Sequence, residues 1–68
     1  MAGYEKRYRL AFEFVKTERD AQMLVRVKNR MASDYIRKHK PARYSPWEAK
    51  DKDGNVTESK WIVWYWTN

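Results

Sequence analysis

The segment Lys60-Trp61-Ile62-Val63-Trp64-Tyr65-Trp66, near the end of the sequence, is apolar on both alternating sets of side chains. In a strand, Trp61, Val63 and Tyr65 point one way and Ile62, Trp64 and Trp66 the other, so neither side suits water. Such a strand belongs in the interior of a sheet. Residues 44–50, which include Pro46, read as a second strand; proline donates no amide hydrogen and is confined to a sheet edge. These two constraints predict a sheet with the last strand in the middle.

The chain has 68 residues and no cysteine, so it is expected to form one domain over residues 1–68, without disulfides or thiolate metal sites to supplement a small core. From Tyr4 to Val15 the apolar pattern has period two. Tyr8, Leu10, Phe12 and Phe14 share one side, and Arg7, Arg9, Ala11 and Glu13 the other. This predicts the first strand. After Thr17 the period becomes 3.6. Thr17 is a candidate N-cap, with Glu18 and Asp20 beside the positive helix end, and Leu24, Val27, Met31 and Tyr35 form one stripe. A single long helix to about His39 follows, stopped by Pro41. Ser33-Asp34 offers an alternative cap for a second, short helix, against which Met31 and Tyr35 stay in phase across it.

Residues 51–55, Asp-Lys-Asp-Gly-Asn, suit a three-residue hairpin turn with Gly54 in the left-handed conformation. In that register Ala49 faces Thr57, Trp47 faces Ser59 and Ser45 faces Trp61. A shift by one residue would set Trp47 beside Lys60 and mix charge into the core, so the first register is favoured. The predicted fold is α+β: a split β-α-β unit with a β-hairpin, giving a three-stranded antiparallel sheet of order 1-3-2 covered on one face by a single long helix. The expected core comprises Tyr8, Leu10, Phe12, Phe14, Leu24, Val27, Met31, Tyr35, Trp47, Trp61, Val63 and Tyr65.

The uncovered side of such a sheet would show Tyr44, Trp64 and Trp66 beside Arg7 and Arg9, with Glu13, Glu48 and Lys60 at its margin. Aromatic rings interleaved with cations suit single-stranded nucleic acid, where bases stack and phosphates are neutralised. The arrangement resembles the sheet platform of RNA-recognition modules, which are longer, have four strands and carry an RNP motif that is missing here. The same patch equally suits a homodimer interface or another protein partner.

The net charge of +6 is concentrated. Between Arg26 and Arg43 seven basic residues face the single acid Asp34, and elsewhere the charges cancel. Arg19, Arg26, Arg30 and Arg37 are expected to form a row opposite the apolar helix stripe, able to track phosphates of DNA or RNA. Gln22 and Asn29 are the only amides near that row, so base-specific readout would be weak.

The function expected is therefore that of a small, basic, non-enzymatic protein. It would bind nucleic acid with low specificity through Arg26, Arg30 and Arg37 and through Arg7, Arg9, Tyr44, Trp64 and Trp66, assisted by homodimerisation. An adaptor or inhibitor docking on an acidic protein surface is the alternative. No cofactor, metal or catalytic residue is expected. The lone His39 has no cysteine or second histidine to work with, and the Asp51–Asn55 segment departs from a calcium loop at Val56 and Ile62. The absence of a long apolar run or a signal-like N-terminus leads to the expectation of a cytoplasmic protein with no membrane contact.

Overall fold

In the computed structural model, which describes residues 8–67, the elements run β1 (Arg9–Val15), α1 (Glu18–Met31), α2 (Asp34–His39), β2 (Arg43–Lys50) and β3 (Val56–Thr67). The strands form one antiparallel sheet of order β1-β3-β2. The doubly apolar strand is central and Pro46 lies on an edge, as the backbone chemistry of each requires. α1 packs mainly on β3 and β2, on one side of the sheet only.

α1 begins at Thr17, whose hydroxyl accepts from the Asp20 amide at 3.1 Å. The helical segment predicted to reach His39 is present but interrupted. Ala32 and Ser33 adopt extended backbone, and the Ser33 hydroxyl accepts from the Ile36 amide at 3.3 Å, starting α2. A serine followed by aspartate competes with helix continuation by capping the next turn, and here that local bond prevails over the phase of Met31 and Tyr35. The break brings Ile36 into the interior and allows Tyr35 to stack on Tyr8, with ring centroids 5.4 Å apart.

α1 is rotated by about 85°, a little under one residue, from the expected orientation. Ala21 is buried and Val25, Lys28 and Ala32 share its side, whereas Met31 is 77 % exposed and Val27 half exposed. Small Ala21 and Ala32 permit a close approach to the sheet that the larger Leu24-Val27-Met31 stripe would hold off. Lys28 runs its stem inward and ends over the Tyr65 ring, 4.3 Å from the centroid and 3.6 Å from the Glu13 carboxylate.

The first strand presents the opposite side from that expected. Leu10, Phe12 and Phe14 pair with Trp66, Trp64 and Ile62 on the face away from α1, and they remain 53, 59 and 40 % exposed. Ala11, Glu13 and Val15 take the α1 side beside Tyr65, Val63 and Trp61. Two contacts make this arrangement workable. The Tyr65 hydroxyl donates to Glu13 Oε2 at 2.7 Å, and Lys28 pairs with the same carboxylate, so an acid is accommodated beneath the helix. On the other face, aromatic and aliphatic side chains of β1 and β3 lie together, the favoured cross-strand combination.

The hairpin turn forms as expected. Asp51 exchanges backbone bonds with Asn55 and Gly54, and Gly54 has φ 85°. Beyond the turn the favoured register fails. Lys50 pairs with Val56 but Ala49 pairs with Glu58, leaving Thr57 as an extra residue whose hydroxyl donates to the Ala49 carbonyl at 3.2 Å. This β-bulge shifts the rest of the ladder by one, so Trp47 faces Lys60 and Pro46 faces Trp61. The lysine is tolerated because its ammonium lies over the rings of Phe14 and Trp47, at 4.2 and 4.9 Å, and 3.4 Å from Glu58.

The interior that results is small. Ala21, Ile36, Ala42 and Val63 are buried, and of these Val63 is the largest side chain wholly shielded from water. Of the expected core, Leu10, Phe12, Phe14, Val27, Met31 and Tyr35 are instead exposed, and Trp47 lies on the far face.

Candidate nucleic-acid interface

Two basic surfaces emerge. The first is the outer side of α1, where Arg19, Arg26 and Arg30 follow one another on the side opposite Ala21 and Val25. All three are exposed, and among the described residues none takes part in an ion pair. With a rise of about 1.5 Å per residue, Arg26 and Arg30 are about 6 Å apart along the axis and Arg19 about 10 Å further back. Met23 lies among them, more than half exposed.

Arg37 does not extend this row. Its guanidinium folds back on the C-terminal end of α1, where Nε donates to the Asn29 carbonyl at 3.0 Å and Nη2 to the carbonyls of Ala32 at 3.0 Å and Arg30 at 3.3 Å. Nη1 also meets Asp34 at 3.2 Å. The helix leaves its last carbonyls without amide partners, and this planar cation satisfies three of them where the helix dipole is negative. The helix break at Ser33 positions it there. Arg37 lies seven residues beyond Arg30, so an unbroken helix would have aligned the two.

The second surface is the end of the sheet at which β2 starts. His39, Lys40, Pro41, Arg43, Trp64 and Trp66 line a shallow cavity of about 260 Å³, and the Lys40 ammonium sits 4.5 Å from the centre of the Trp66 ring. Cations and indoles meet here, and Lys40 and His39 are contributors that the pattern reading missed. Lys38-His39-Lys40 reads in sequence as a helix end. Only the turn into β2 carries it alongside Trp64 and Trp66.

Trp64 and Trp66 are on the side of the sheet away from α1, as anticipated. Tyr44 is not. The register places it opposite Val63 on the α1 side, where its hydroxyl donates to Glu18 at 3.2 Å and accepts from Gln22 at 3.1 Å. It therefore fastens β2 to the start of α1. Arg9 alternates with Leu10 and so also lies on the α1 side, exposed at the edge, as do Glu13 and Glu48. Arg7 lies outside the described residues.

Among the described residues Asp51 is the one titratable group with a clear shift. The Asn55 amide above all, with those of Asp53 and Gly54, holds its carboxyl below the ordinary value of 3.8 against a smaller opposing effect of desolvation. The shift belongs to the turn and lies far from both basic surfaces. Among the described residues no cluster of histidine, aspartate and glutamate is arranged to hold a metal ion, and no helix is long and apolar enough to cross a membrane.

Comparison with protein-family models, curated proteins and solved structures gave no match.

Proposed function

We propose that this is a non-enzymatic cytoplasmic protein that binds nucleic acid with low sequence specificity, contacting phosphates through the outer side of α1. The observation that carries the reading is the row Arg19-Arg26-Arg30. Three guanidinium groups point away from the sheet with no carboxylate paired to them among the described residues, within a chain of net charge +6. Guanidinium groups bind phosphate in a planar fork, and a row of them suits a polymer with closely spaced negative charge. The basic end formed by Lys40 and Arg43 supplies a secondary phosphate contact at the rim of the sheet. Low specificity follows from the shortage of amide side chains on the row.

The test is retention on heparin and titration with labelled single- and double-stranded oligonucleotides over a salt series. Arg26→Glu combined with Arg30→Glu should abolish binding and leave the melting temperature unchanged, because both side chains are exposed and make no ion pair among the described residues. The wild-type affinity should fall steeply with salt, with a logarithmic slope of about −2 to −3 for a row of this size. Unchanged retention of the double mutant rejects the row. Failure of the wild type to bind either oligonucleotide in low salt favours an acidic protein as the partner.

A further inference from the structure

The side of the sheet facing away from α1 carries the exposed apolar side chains of β1, and nothing within residues 8–67 covers them. Leu10, Phe12, Phe14, Ile62 and Trp64 run across it without a charge among them, and cations border them: Lys60 and Lys40 at the two ends over Trp47 and Trp66, and Arg43 beside Trp64 on the β2 edge. An apolar centre with a charged rim is the anatomy of a protein interface.

The sheet's dimensions indicate how much surface is missing a cover. Three strands by about seven residues give the face a footprint of roughly 14 by 23 Å. With the flanks of the projecting rings, pairing two such faces hides on the order of 1,000 to 1,300 Å², close to the roughly 1,200 Å² at which stable interfaces begin.

We infer that this face is closed by a second copy of the chain, the two sheets packing face to face about 10 Å apart as a symmetric α/β/β/α sandwich. The requirement for a cover is permanent, since among the described residues Val63 is the largest wholly buried side chain. A partner that is always present at the concentration of the chain itself meets that requirement. A nucleic-acid strand, bound and released, leaves the phenyl rings in water between encounters. Lys60 is moreover already committed to Glu58 and to two rings.

The experiment uses the whole chain without ligand, so its outcome is separate from that of the oligonucleotide titration. Sedimentation equilibrium between about 1 and 100 µM should give twice the 8.3 kDa chain mass, and the melting temperature should rise with concentration over that range because dissociation accompanies unfolding. A mass of one chain at the upper concentration, or a melting temperature independent of concentration, overturns the inference. Phe12→Lys alters a side chain 59 % exposed in a single copy and should weaken association by at least about tenfold. Met31→Lys, 77 % exposed on the other side of the molecule, should not. Undiminished association of Phe12→Lys, or dissociation caused by Met31→Lys alone, removes the sheet face from the interface.

Discussion

Replacing Arg37 with methionine separates holding the fold from contacting a ligand. The substitution keeps much of the stem's volume and removes the guanidinium that donates to the carbonyls of Asn29, Arg30 and Ala32. These carbonyls end an exposed helix and water replaces part of what is lost, so each bond is worth about 0.5 kcal/mol, the low end of the net range for hydrogen bonds. The charge beside the negative end of α1 adds about 0.5 kcal/mol. The pair with Asp34 adds essentially nothing, because that carboxylate is fully exposed. The expected loss is about 2 kcal/mol, or a fall of about 10 °C in melting temperature for a chain of this size. Urea or thermal unfolding followed by circular dichroism reads it directly. Arg37→Lys should recover only about 0.5 kcal/mol, since it restores the charge and not the fork. On heparin, Arg37→Met should elute close to the wild type at a temperature where both are folded, in contrast to the Arg26 and Arg30 reversals. A stability loss below about 0.5 kcal/mol would show that water serves these carbonyls equally well and that the helix break has no need of Arg37.

Two further predictions concern the hairpin. The Asp51 carboxyl sits below 3.8 in the folded chain and returns to it on unfolding, so its contribution to stability is full above that pH and is lost as pH falls through the folded value. Asp51→Asn should therefore flatten the acid limb of a melting-temperature profile, and an identical acid limb in both proteins would show that the turn is not the source. Gly54→Ala should cost about 1 kcal/mol from backbone conformation alone, because φ is +85° and no heavy atom lies within 4 Å of the added methyl. A denaturant midpoint unchanged by the alanine would mean that the turn relaxes at no cost.

The strand order was legible because two residue types leave little choice: proline at an edge and a doubly apolar strand at the centre. Thr17 and the Asp-Gly turn were legible for the same local reason. What escaped was the choice of side. When both faces of β3 are apolar, periodicity shows that β1 has a polar and an apolar side but does not assign them to faces of the sheet, and the expectation that a helix covers the most apolar side failed. The helix poses the same ambiguity on a smaller scale, since the line Ala21-Val25-Ala32 competes with the bulkier Leu24-Val27-Met31 stripe and wins by allowing closer approach. Thr57 carries no sign that it will be the bulged residue, yet it decides where Trp47 and Tyr44 point. Arg37 looks like a free surface cation until the break at Ser33 folds it back onto the end of α1. The candidate site was legible as composition, in Arg26, Arg30, Trp64 and Trp66. The cavity formed by Lys40 and Arg43 with the indoles depends on how the chain enters β2 and has no local signature.

The two borders of the sheet are unequal, with a consequence for self-assembly. β2 carries Pro46, which interrupts the run of amides that an incoming chain would use, whereas Arg9–Val15 has no such interruption. Lateral growth by strand addition is thus open on one flank only. Two molecules that zipped together along β1 would leave a proline-bearing border at each outer limit, so the ribbon would halt at six strands and a filament would have nowhere to continue.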